Sequence, residues 1–150
     1  MKLMKLLAVS AISLGVMGAT VVPASASATT MPKSIRGNFY AYQGHHKWTK
    51  LSISAHKASI KYPGEKIFKL TPKAKNKAHR LSYKKSNGFF TLNSKNKNAA
   101  SSLFPEGDMK LASRKIGKKH YKVIRGYQGG YRFDFIKGKK VAHYYSHIAD

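Results

Sequence analysis

Hydrophobic and polar residues alternate along most of this chain in short runs, and a turn residue closes each run. A period of two places successive side chains on opposite faces of an extended segment, so these runs read as half-buried β-strands. They cover residues 38–42, 48–54, 58–62, 67–70, 79–85, 89–93, 109–115, 120–125, 131–136 and 140–146. Between them stand Gly44, Pro63-Gly64, Pro72, Asn87-Gly88, Pro105-Glu106-Gly107-Asp108, Gly117, Gly129-Gly130 and Gly138. Short strands at this spacing predict an all-β domain, here an antiparallel up-and-down meander closing into a small barrel. Residues 101–104 read as a helical turn before Pro105, residues 95–98 as a solvated loop and residues 29–32 as a frayed terminus.

Two hairpins can be written in register. Asn87-Gly88 suits a two-residue type I′ turn, in which both central residues need positive φ. That turn pairs Lys85 with Phe90, Lys84 with Thr91, Tyr83 with Leu92 and Ser82 with Asn93. Tyr83, Phe90 and Leu92 then share one face. Near the C-terminus, a three-residue Lys137-Gly138-Lys139 loop sets Phe135 against Val141, Phe133 against His143 and Tyr131 against Tyr145. A one-residue slip would move a whole face to the other side, so the aromatic stripe favours the three-residue loop.

The chain opens differently. Lys2 and Lys5 introduce an apolar run from Leu6 to Val22, followed by Pro23-Ala24-Ser25-Ala26-Ser27-Ala28. A short cationic stretch, an apolar centre and small-x-small residues predict a helical signal peptide, cleaved after Ala26 or Ala28. The expected organisation is a signal peptide over 1–28 and a single β-barrel domain over 29–150, secreted and retained in part at the cell surface. The chain has no cysteine, so no disulfide supports the domain and its core must suffice.

Charge sharpens this picture. The chain carries 29 Lys+Arg against 5 Asp+Glu, a formal charge of +24, and losing Lys2 and Lys5 with the leader lowers that by only two units. Solubility of a small domain asks for a net charge of only about 2 to 8. A large excess of one sign brings self-repulsion and invites polyanions. The candidate contacts are Lys73, Lys75, Lys77, Arg80, Lys84 and Lys85, then Lys115, Lys118, Lys119 and Lys122, then Lys139 and Lys140. Arginine is confined to Arg36, Arg80, Arg114, Arg125 and Arg132. Base-specific readout favours bidentate arginine, so the expectation is diffuse attraction to anionic polymers of a cell envelope, teichoic acid or anionic lipid. Nucleic acid would bind without sequence preference.

Catalytic chemistry finds few groups. After the leader the carboxylates are Glu65, Glu106, Asp108, Asp134 and Asp150, and most fall in turns or at the terminus. Asp134 alternates with Phe133 and Phe135, so it is expected to face out and pair with a lysine. No two carboxylates are placed to flank a glycosidic bond. The histidines are His45, His46, His56, His79, His120, His143 and His147. On a strand, His143 and His147 would share a face but stand about 13 Å apart, too far to share a metal. No cysteine or nearby carboxylate completes a ligand set, so neither metal nor cofactor is expected. A nucleophile elbow of the Gly-x-Ser-x-Gly type is absent from the sequence. A secreted nuclease would have to draw on His120, His143 and Glu106.

Alternation assigns Phe39, Tyr62, Tyr83, Phe90, Leu92, Tyr121, Val123, Tyr131, Phe133, Phe135, His143 and Tyr145 to the barrel interior. Two interiors are compatible with that set. One is a core filled by its own side chains, and the other is a cavity in which inward tyrosines line a site for a small apolar ligand.

Pro32-Lys33-Ser34-Ile35-Arg36-Gly37-Asn38-Phe39-Tyr40 carries a resemblance. Gly37-Asn38-Phe39-Tyr40 is similar to the Gly-x-Trp-Tyr that opens the first strand of lipocalin-like barrels, with Phe39 in the tryptophan position. Through Trp48-Thr49-Lys50-Leu51 the segment resembles small secreted, lysine-rich, lipocalin-like proteins of Gram-positive, lactic-acid-type bacteria. The resemblance implies an antiparallel barrel in which Phe39 plugs one end. It carries no binding residue beyond Gly37 to Tyr40. The leading expectation is a secreted, monomeric, non-catalytic cationic barrel held to envelope polyanions. The alternatives are a lipocalin-like carrier of a small apolar ligand and a secreted nuclease or other polyanion-acting enzyme.

Overall fold

The computed structural model describes residues 30–95, 102–144 and 146–148. The expected signal peptide, residues 96–98 of the expected loop, and Tyr145 lie outside the described residues. The strands are β1 (Gly37–Gly44), β2 (Lys47–Ile53), β3 (Ala58–Lys61), β4 (Phe68–Leu70), β5 (Leu81–Ser86), β6 (Phe89–Ser94), β7 (Met109–Ile116), β8 (Lys119–Gln128), β9 (Tyr131–Lys137) and β10 (Ser146–Ile148). They form one sheet in the order β4-β3-β2-β1-β9-β8-β7-β6-β5, with β10 joined to β9.

Each neighbouring pair along that order is antiparallel. The runs β1 to β4 and β5 to β9 are both meanders, and the long-range β1–β9 pair joins them. Nine strands alternating in direction leave the two end strands, β4 and β5, pointing the same way. Among the described residues they are joined by a parallel bridge between Thr71 and Arg80. There the Thr71 N–H donates to the His79 carbonyl at 2.9 Å, and the Leu81 N–H donates to the Thr71 carbonyl at 3.0 Å. An odd number of strands cannot close through antiparallel pairs alone, so the barrel is nearly rather than fully closed. The fold is the all-β, antiparallel up-and-down meander that the alternation predicts.

The β5–β6 hairpin has the expected register at all four positions. Asn87 has φ 50° and Gly88 has φ 80°, as a type I′ turn requires. The C-terminal hairpin differs from its expectation. Residues 139–144 are not a strand, and β10 sets Ser146 opposite Phe133 and Ile148 opposite Tyr131. Competition for the edge of β9 explains the difference. β1 already occupies that edge at Ile136 and Lys137, and the Gly138 N–H donates to the Asn38 carbonyl at 2.8 Å. The chain therefore leaves the sheet after β9 and rejoins it only at β10.

One face of the strands forms the interior. Phe39, Leu51, Ile53, Ile60, Leu70, Leu81, Phe90, Leu92, Met109, Ile124 and Phe135 pack there into one cluster, with Tyr62, Tyr83 and Phe133 at its margin. Each fully buried aliphatic or aromatic side chain of this kind stabilises by about 1.5 to 3 kcal/mol. The chain entering β1 adds to the same cluster. Met31 is fully buried and Ile35, at the end of a 3-10 turn over Lys33–Ile35, nearly so. The Met31 N–H donates to the Ala55 carbonyl at 2.9 Å, so residues 31 and 32 are anchored rather than frayed. Two further local readings change: residues 102–104 form no helical turn, and a 3-10 turn stands at Lys77–His79.

Four expected interior residues sit elsewhere. Ile124 belongs to the interior cluster, so its neighbours in the alternation, Tyr121 and Val123, face outward. Tyr131 has the inward parity of Phe133 but lies at the start of β9 and is 56% exposed. His143 is off the sheet, in the segment between β9 and β10.

Candidate functional site

The expected polyanion contacts fall in three places. Lys73, Lys75 and Lys77 are exposed on the connection between β4 and β5. Arg80 ties that connection together, donating from Nε to the Ala74 carbonyl at 3.0 Å and from Nη2 to the Lys75 carbonyl at 3.2 Å. Lys84 and Lys85 are exposed near the β5–β6 turn and line a groove with Phe89, Phe90 and Asp108. Lys115, Lys118, Lys119 and Lys122 are exposed on the β7–β8 hairpin, and Lys139 and Lys140 follow β9. Lys140 is also held over two rings, its Nζ lying 5.8 Å from the Tyr40 centroid and 5.5 Å from that of Trp48.

The third place is a basic groove, built by a mismatch of strand lengths. β8 pairs with β7 from Lys119 onward, but with β9 only from Val123 onward. The β7–β8 hairpin therefore extends beyond the end of β9 and leaves the β9-side edge of residues 119–122 without a ladder partner among the described residues. Gly117, at the first central position of the hairpin's two-residue turn, has φ 59°, the backbone a type II′ turn asks of glycine. Between this overhang and the end of β9 lies a groove of about 410 Å³ lined by Lys119, His120, Tyr121, Lys122, Lys137 and Lys139. Lys137 is not one of the contacts the sequence suggests. Its Nζ lies 5.6 Å from the Phe39 ring centroid, so the stem is braced against the barrel end, and only the β9–β1 pairing places it there.

A second arrangement escapes the alternation altogether. On the outer face, Asp134 is 4% exposed and Arg114 is 6% exposed. Arg125 donates to both carboxylate oxygens of Asp134, from Nε at 2.8 Å and from Nη2 at 2.9 Å. Asp134 does face out, as expected, but its partner is this arginine and not a lysine. Arg114 Nη2 donates to His143 Nδ1 at 2.6 Å and to the Tyr144 carbonyl at 2.9 Å. Trp48 Nε1 donates to the Val141 carbonyl at 3.3 Å, and the Tyr42 ring packs against both Trp48 and Tyr144. The segment after β9 thus crosses the outer face from Trp48 to Arg114. A groove of about 240 Å³ remains beside it, lined by Tyr40, Tyr42, Arg114, Asp134, His143 and Tyr144 among others.

The three groups a nuclease would need are separated. His120 lies in the basic groove and His143 in the outer one. The Glu106 N–H donates to the Gln128 side chain at 3.3 Å, at the far end of β8 from His120, about 27 Å along the strand. Among the described residues no three His, Asp or Glu side chains come together. At the interior margin, the Tyr62 hydroxyl donates to the Leu103 carbonyl at 3.0 Å. Burial raises the pKa of both Tyr62 and Tyr83 above the ordinary 10.0, so neither ionises near neutrality. Neither a family model, nor a curated protein, nor a solved structure matches the chain.

Proposed function

We propose that this chain is a secreted, non-catalytic, cationic β-barrel that holds to anionic polymers of a cell envelope by charge attraction. One observation carries the reading. Most of the described lysines are exposed, on turns, strand edges and an overhanging hairpin, whereas Asp134, one of only five side-chain carboxylates, is buried and bound to Arg125. Few acids are left at the surface to balance the cations, so the field outside the barrel is strongly positive. The fully buried Phe39 on β1 is consistent with the place that the resemblance to lipocalin-like barrels implies for it.

Each lysine close to an anionic surface contributes about 1 kcal/mol and loses most of it beyond a Debye length. Several engaged together suffice for retention at low ionic strength. Washing protein-loaded cell envelopes with rising salt tests this. Release on the way to molar salt, where the Debye length is about 3 Å, is the expected result. Retention through that range, or no binding at low salt, would refute the electrostatic account.

A further inference from the structure

The basic groove differs from the other lysine clusters in how it is assembled. Its four lysines come from two separate stretches of chain, the start of β8 and the end of β9 with the residues just after it. Among the described residues no carboxylate-bearing residue lines it, whereas the groove beside Lys84 and Lys85 includes Asp108. Like charges gathered around one slot repel each other, and an anion seated among them removes that repulsion.

The lining also narrows the chemistry of the ligand. Lysine presents a compact charge with freely turning donors, which suits a phosphate of any orientation, while planar or bidentate recognition uses arginine. The groove contains no arginine. Single-stranded nucleic acid is held by successive aromatic stacking platforms, and this groove offers one half-buried tyrosine ring. The groove lies open along the edge between the hairpin and the strand end, so a single flexible chain can lie lengthwise in it.

We propose that Lys119, Lys122, Lys137 and Lys139 form a seat for a linear phosphodiester polymer of a small polyol. This rests on the polyanion reading above and adds the site and the ligand class. Lysines on an open strand edge also keep foreign strands from pairing there. That role needs no ligand, so binding measurements separate the two.

The probe is soluble poly(glycerol phosphate), titrated calorimetrically against the chain at several salt concentrations. The groove variant combines Lys119→Gln, Lys122→Gln, Lys137→Gln and Lys139→Gln. The control, with the same change of charge, combines Lys50→Gln, Lys61→Gln, Lys66→Gln and Lys69→Gln, all at exposed positions outside the candidate contacts. A third variant keeps Lys137, which braces Phe39, and changes only the other three groove lysines. Thermal unfolding confirms that each variant is folded. The groove variant is expected to lose at least about tenfold in affinity. Its logarithmic salt slope should fall by about 3, at roughly 0.7 for each phosphate no longer neutralised. The three-lysine variant should show most of that loss, and the control less than about threefold. Equal losses in groove and control variants would overturn the groove and leave diffuse attraction standing. No binding by the unaltered chain at low salt would overturn both. Tighter groove-dependent binding of single-stranded DNA at matched phosphate concentration would overturn the polyol assignment.

Discussion

Val123 and Ile124 are adjacent on β8 and both are fully buried, yet different forces bury them. Ile124 points into the barrel, among aliphatic and aromatic side chains from strands on all sides. Val123 points out, opposite Ile136, onto the face that carries the Arg125–Asp134 pair and is crossed by the segment after β9. The interior is held by apolar contact, which is large and asks little of direction. The outer layer is held by a few directed bonds from arginine and tryptophan to a carboxylate and to backbone carbonyls. Polar atoms should therefore be a burden inside the barrel and a requirement outside it.

The largest effects test the interior. Phe39 is fully buried at the join of β1 and β9, and Phe39→Ala should lower stability by about 3 to 5 kcal/mol in denaturant unfolding. A loss below about 1 kcal/mol would mean that this cluster is not what holds the barrel. On the outer face, Asp134→Ala leaves Arg125 without its carboxylate and should cost about 3 kcal/mol. Pairing it with Arg125→Met should recover much of that loss, because replacing a buried ion pair by apolar side chains is often neutral. If the double variant is as unstable as the single one, the stranded charge is not the cause.

A smaller change runs the other way. Thr49 is fully buried on the inner face, and its hydroxyl has no hydrogen-bond partner among the described residues. Thr49→Val should raise stability by about 1 kcal/mol, since an unsatisfied buried polar group carries a desolvation cost. Destabilisation instead would blur the contrast between the two layers. The smallest effect concerns pH. Burial keeps the Tyr62 and Tyr83 hydroxyls neutral, so their folded pKa values lie above the ordinary 10.0. The unfolded chain releases those protons first. Their contribution to stability is therefore whole below about pH 10 and is lost as the pH rises through the folded values. Tyrosinate absorbance should show late-ionising tyrosines, with one fewer in Tyr62→Phe.

The β5–β6 hairpin shows how much of the fold is local. Asn87-Gly88 sets the turn, and the alternation on either side agrees with it, so the register follows from about a dozen residues. The poverty in carboxylates and the exposure of most lysines are equally legible, because they depend on composition and on strand faces. Three features are not local. The C-terminal strand is displaced by β1, which lies about a hundred residues earlier in the chain and takes the edge of β9 that a hairpin partner would need. The direction of Tyr121 and Val123 is ambiguous in the sequence because β8 buries both of its faces, and alternation cannot say which face is inside. The basic groove and the Arg114–His143 contact join residues that only the β8–β9 pairing and the returning segment bring together. Periodicity and turn chemistry thus determine strands, hairpins and the sign of the surface, because those depend on near neighbours. Which strand edge is already taken is a contest between distant segments, and tertiary structure alone decides it.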